Sequence, residues 1–160
     1  MKEERLNLIK SKIKSFELEF DDVNGTPRIC AQLDNVIEIC DILKNDSDLN
    51  FDMLLDAVGV DRFTKNDRFE VIYNLYSNKH KDRLFVRVKL DSKIPEMHTL
   101  SVIWKSANWY EREVYDMFGI IFINHPDLRR IYMPEEYEYF PLRKDIPLMG
   151  IPGSIRLPNK

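Results

Sequence analysis

Charged side chains crowd one short stretch, Glu111-Arg112-Glu113 with Asp116, and His125 follows soon after. Two carboxylates near an imidazole could perform general acid–base chemistry, such as a hydrolysis. The helical spacing argues against it. Glu111 and Glu113 flank opposite edges of an apolar face and do not converge on one point. Arg112 and Asp116 stand one turn apart on the other side, where they can pair. Capping or ion pairing at an interface accounts for this set better than catalysis. The remaining reactive residues are sparse. His80, His98 and His125 are the three histidines, and none has a second one at helical metal-site spacing. Cys30 and Cys40 are two thiols where an iron–sulfur cluster needs four, so both are expected reduced in the core. The five glycines are scattered and build no phosphate-cradling loop. No catalytic, cofactor-binding or metal-binding residue is expected in this chain.

The elements that carry these residues can be read from periodicity. Leu6, Ile9, Ile13 and Phe16 recur at helical spacing and predict a helix over 2–16. Asn24-Gly25-Thr26-Pro27 is a turn, followed by a short strand over 28–32. Leu33, Val36, Ile37, Cys40 and Leu43 mark a second helix with Asp34 as its N-cap. Phe51 to Phe63 fits a strand or a short helix, and the alternation of Phe51, Met53 and Leu55 favours the strand. Phe69, Val71, Tyr73 and Leu75, then Leu84, Val86, Val88 and Leu90, alternate about a turn at 77–81 and predict a β-hairpin. The charged stretch falls on a third helix, about 108–118. Asn108 with Glu111 resembles a capping box and Gly119 a C-terminal stop; Tyr110, Val114, Met117 and Phe118 form its apolar face.

From His125 the character changes. Six of the eight prolines lie at 126, 134, 141, 147, 152 and 158, and no long helix or central strand survives that spacing. Leu128, Ile131, Tyr132, Met133, Tyr137, Tyr139, Phe140, Leu142, Ile146 and Leu148 make the segment too apolar for a simple linker. Either it wraps back on its own domain or it lies along a partner, and the partner reading is favoured. Arg129-Arg130 and Arg143-Lys144 beside aromatic residues suit a protein interface. Nucleic acid is not expected, because 24 basic against 27 acidic residues leave a net charge of −3. The expected fold is thus α+β: a compact mixed or antiparallel sheet with helices packed on it over 1–124, then an extended proline-rich partner-docking tail over 125–160. No run approaches the about 20 apolar residues that span a bilayer, and no signal-peptide pattern opens the chain, so membrane association is expected only through partners.

The stretch ANWYEREVYDMFG at 107–119 continues to HPDLRRI at 125–131 and PLRKDIPL at 141–148. These three blocks, in this order, resemble the C-type subunit of respiratory complex I, the 30 kDa subunit family of NADH–quinone oxidoreductase. The segment 51–61 and the strand at 68–75 resemble it too. Tyr139-Phe140 and Ile146 depart from residues common in the family, and the chain is short for it. The resemblance implies a non-catalytic subunit of the hydrophilic arm of a proton-translocating enzyme. FMN, iron–sulfur clusters and the quinone would sit on other subunits. Its partners would be the quinone-reducing subunit of the D or 49 kDa type, with other arm subunits such as the B and I types. Its place would be peripheral, on the cytoplasmic face of a bacterial or archaeal plasma membrane. It further implies that Glu111, Arg112, Glu113, Asp116, His125, Asp127, Arg129, Arg130, Arg143, Lys144 and Asp145 are interface and structural residues rather than catalysts. Homologous subunits of membrane-bound [NiFe]-hydrogenases or deazaflavin-dependent dehydrogenases are the alternative assembly. A stand-alone hydrolase using Glu111, Glu113, Asp116 and His125, or a free adaptor, is the rival outside it.

Overall fold

The computed structural model describes residues 3–147 and 149–151. Leu148, Pro152 and Pro158 of the tail lie outside the described residues. Helix α1 spans Glu3–Lys12, and a single 3₁₀ turn, Lys14–Phe16, completes the run expected over 2–16. Strands β1 (Glu19–Val23) and β2 (Thr26–Ala31) form an antiparallel hairpin. The periodicity missed β1, because its sequence is EFDDV and it is a charged sheet edge with one apolar side. Its turn was legible: Asn24 and Gly25 both take positive φ, 52° and 82°, as a two-residue hairpin turn requires.

Helix α2 spans Val36–Asn45, with Asn35 rather than Asp34 at its N-cap. Strand β3 (Met53–Asp61) is extended, as the alternation favoured, and β4 (Phe69–Ser77) and β5 (Asp82–Leu90) form the expected hairpin. The sheet order is β1-β2-β5-β4-β3, with β2 and β5 parallel and the other neighbours antiparallel. The fold is therefore the expected α+β type, with a mixed sheet. A short parallel pair, β6 (Glu96–His98) and β7 (Ile121–Ile123), stands at the two ends of the α3 segment, Ala107–Phe118.

One sheet face is sealed. Phe69, Val71, Tyr73 and Leu75 of β4 face Leu90, Val88, Val86 and Leu84 of β5 in register, and all are fully buried. Ile9 and Ile13 near the N-terminus, with Val36, Ile39, Cys40 and Leu43 of α2, join the same core cluster. Burial of such side chains contributes roughly 1.5–3 kcal/mol each. The opposite face, with Ile72, Asn74, Tyr76, Phe85 and Arg87, stays partly exposed.

Candidate partner interface and its buried supports

Helix α3 positions the charged set, and its burial inverts the expectation. Glu111 and Asp116 are 0% exposed and Arg112 is buried, whereas Trp109 is 62% exposed. No capping box forms: the helix starts at Ser106 without a side-chain cap. Glu111 points instead into the core, where it accepts from Tyr73 O–H (3.1 Å) and Leu100 N–H (2.8 Å) and shares a hydrogen bond with the Thr99 hydroxyl. Arg112 and Asp116 do not pair either. Each reaches the segment after His125, because a buried charge takes whichever partners satisfy most of its bonding capacity.

Asp116 Oδ2 accepts three consecutive main-chain N–H groups, from Ile131 (3.0 Å), Tyr132 (2.7 Å) and Met133 (3.0 Å). Its Oδ1 accepts from Arg130 Nη1 at 2.7 Å. Burial alone would raise the Asp116 pKa; the Met133, Tyr132 and Ile131 amides and Arg130 outweigh it and hold the carboxyl below its ordinary value. Arg130 in turn stacks on Tyr137 and Phe140. Arg112 donates to the carbonyls of Arg129 (3.1 Å) and Arg130 (3.3 Å) and lies over the Trp109 ring.

The same segment closes the C-terminus of α3, whose last carbonyls lack partners within the helix. Arg130 Nη1 donates to Asp116 O, Leu142 N–H to Met117 O, and Arg143 Nε to Phe118 O. Gly119 takes φ 71° as the expected helix stop, and Phe140 and Arg143 press where its Cβ would be. A second carboxylate clamps the far end. Asp61, at the end of β3, accepts from Arg68 Nε (2.9 Å) and Nη2 (2.7 Å), Phe63 N–H (2.8 Å) and Lys144 N–H (2.8 Å). Burial opposes its charge, but Arg68 and these amides bring its pKa down to about 2. Arg68 also pairs with Asp145 at 2.9 Å.

Residues 125–147 therefore run over their own domain, with main-chain and side-chain bonds along their length. The expectation favoured a partner for this contact; the segment is seated on its own domain because Asp116 takes three main-chain donors from it and Asp61 takes the Lys144 N–H. Asp61 and Arg68 were missed as candidate residues. The signal was an aspartate on the inward parity of β3, after Ala57 and Gly59, where a charge demands a partner.

The eleven expected residues thus separate. Glu111, Arg112, Asp116, Arg130 and Arg143 face inward. The His125 side chain is also buried, with Nε2 at 3.1 Å from Asn108 O and Nδ1 accepting from Asp127 N–H. Glu113, Arg129, Lys144 and Asp145 are exposed, and Asp127, half-buried, accepts from Arg129 at 2.7 Å. Trp109, Tyr132 and Leu142 are each more than half exposed. Among the described residues no cluster of His, Cys, Asp or Glu could hold a metal, and no helix is long and apolar enough to cross a membrane.

This architecture has relatives. The family model of the respiratory-chain NADH dehydrogenase 30 Kd subunit matches residues 29–152. The second C-type subunit of the NADH-quinone oxidoreductase of Rhizobium meliloti is 48% identical over 73% of this chain and 64% of its own length. The C-type subunit of the NADH-quinone oxidoreductase of Geobacter metallireducens is 41% identical over 91% of this chain and 88% of its own. Among solved structures, the trypsin-resistant fragment (1-134) of Nqo5 superposes with a TM-score of 0.66 at 33% identity, over 78% of this chain and 99% of that one. A chain of the membrane-bound sulfane sulfur reductase, an archaeal respiratory membrane complex, gives 0.77 over 92% of this chain and 86% of its own; at 24% identity it shows the shared fold. The chain belongs to the respiratory-chain NADH dehydrogenase 30 Kd subunit family.

Proposed function

We propose that this chain is a non-catalytic assembly subunit in the hydrophilic arm of a proton-translocating NADH–quinone oxidoreductase. It contacts the quinone-reducing subunit of the D or 49 kDa type, with arm subunits of the B and I types beside it. The arm stands on the cytoplasmic face of the plasma membrane, and the chain reaches the membrane only through partners. FMN, iron–sulfur clusters and quinone belong to the other subunits, and the isolated chain has no activity of its own.

The observation that carries this reading is the division of the charged set. The inward residues spend their bonding capacity on the fold, and the outward ones, Glu113, Arg129 and Lys144 with Trp109, Tyr132 and Leu142, supply the Trp, Tyr and Arg types that dominate binding hot spots. Because residues 125–147 are already seated, little chain entropy is lost when a partner docks on them. The relatives' names support NADH and a quinone as the reactants of the whole enzyme.

The test is complementation. A host lacking this chain should lose NADH–quinone reductase activity in its membranes and regain it with the wild-type gene. The double variant Glu113→Ala/Arg129→Ala should fold but restore little activity and leave the complex incomplete. Full activity with that variant would remove the surface from the account. Full activity without the chain would overturn the function.

A further inference from the structure

The geometry points to Glu111 as a proton-binding site: the folded chain carries this carboxyl as the neutral acid, and loss of its proton loosens the 97–104 segment from α3.

From β4 comes the Tyr73 hydroxyl, itself 3.8 Å from the Met97 sulfur of β6. From the segment after β6 come Thr99 and the Leu100 N–H. From α2 the Cys40 thiol stands near Tyr73, and burial keeps both of these groups protonated. From the segment after β7 comes His125, with Nε2 at 3.9 Å from Glu111 Oε2. Arg112 and Asp127 act on that imidazole in opposite senses. Every donor within hydrogen-bond reach of Glu111 is neutral. A fully buried carboxylate with neutral donors alone is costly.

His125 is the one group placed to compensate, and its hydrogen bonds prevent it. Asp127 N–H donates to Nδ1 at 3.0 Å, so the ring proton sits on Nε2 and is given to Asn108 O at 3.1 Å. A second ring proton, on Nδ1, would meet the Asp127 N–H head-on. Burial pushes the His125 pKa down as well, so the imidazole stays uncharged.

The neutral acid, by contrast, is fully satisfied. Its carbonyl oxygen, Oε1, accepts from Leu100 N–H and Tyr73 O–H. Its hydroxyl, Oε2–H, donates to Thr99 Oγ1, which also accepts from Ser101 N–H at 3.0 Å and passes its own proton to Ser101 Oγ at 2.8 Å. Burial brings the Glu111 pKa up to about 7, against the lowering pull of Thr99, Leu100 and Tyr73. The folded form therefore binds the proton more tightly than the unfolded chain. Stability attributable to this group is greatest below the ordinary value of 4.5 and falls until the pH passes about 7. A difference of about 2.5 units corresponds to a loss on the order of 10²-fold in the folding equilibrium across that window.

The experiment is the pH dependence of unfolding of the full chain, wild type against Glu111→Gln. Glutamine offers the same carbonyl to Leu100 and Tyr73 and an N–H to Thr99. The variant should match wild type near pH 4, gain on it between about pH 4.5 and 7, and keep a level advantage from there to pH 9. An isotope-labelled carboxyl spectrum of the unmodified chain gives an independent reading: a buried glutamic acid signal present at pH 6 and lost by pH 9. Tyr73→Phe removes one donor to Oε1 and should move that loss to higher pH, which covers the case of a glutamine variant that does not fold. A wild type that gains stability relative to Glu111→Gln toward pH 9, or a Glu111 signal already ionised at pH 6, overturns the proposal.

Discussion

Asp116→Asn removes one charge and no volume, and it addresses the bond set that seats residues 130–133. The asparagine oxygen can still accept some of the Ile131, Tyr132 and Met133 amides, but its NH₂ then faces Arg130, whose side chain is only 9% exposed. Removing one partner of a buried ion pair leaves the other uncompensated and costs about 3–5 kcal/mol. In a domain of this size that corresponds to a fall in Tm of roughly 10 °C. Chemical and thermal unfolding of the purified chain measure it. Hydrogen exchange at the three amides locates it: they should be protected in the wild type and exchange rapidly in the variant. Glu113→Gln, on an exposed side chain of the same helix, is the control and should stay within about 0.5 kcal/mol of wild type. A loss below about 1 kcal/mol in Asp116→Asn, or unchanged exchange at 131–133, would refute the reasoning that a buried carboxylate seats this segment.

Other outcomes follow from the same contacts. Asp61 is charged in the fold down to about pH 2, against an ordinary value of 3.8, so its stabilisation is complete above about 4 and is lost as the pH falls through 2. Acid titration of stability should show about 2 kcal/mol from this group, and Asp61→Asn should flatten that limb. Gly59→Ala would put a Cβ 2.5 Å from Phe118 Cδ2 and 3.0 Å from Val114 Cγ1; the forced displacement of α3 should cost about 1–3 kcal/mol in denaturant unfolding. Ending the chain at residue 124 would strip Asp116 and the last carbonyls of α3 of their donors. Its stability loss should exceed that of Asp116→Asn. A truncated chain as stable as wild type would restore the self-sufficient 1–124 body that the proline pattern alone suggests.

The sheet was legible where one face is sealed. Phe69 to Leu75 and Leu84 to Leu90 alternate strictly because every second residue meets the core. β1 was not legible, since an edge strand facing water on most sides keeps no alternation, and only Asn24-Gly25 betrayed it. The polar residues of α3 misled for a different reason. A helical wheel places charge toward solvent, but the wheel cannot see a neighbouring segment that brings main-chain N–H groups to Asp116 or a hydroxyl to Glu111. The three motif blocks pointed to the family. Their inward or outward sense depended on contacts between residues far apart in sequence, such as Lys144 with Asp61.

The most direct measurement is gentle solubilisation of host membranes carrying this chain with an N-terminal tag, followed by identification of what co-purifies. The account predicts recovery of the flavin, iron–sulfur and quinone-reducing subunits, with NADH-driven quinone reduction by the sample. A lone chain in the soluble fraction, or an assembly that reduces no quinone from NADH, would contradict it.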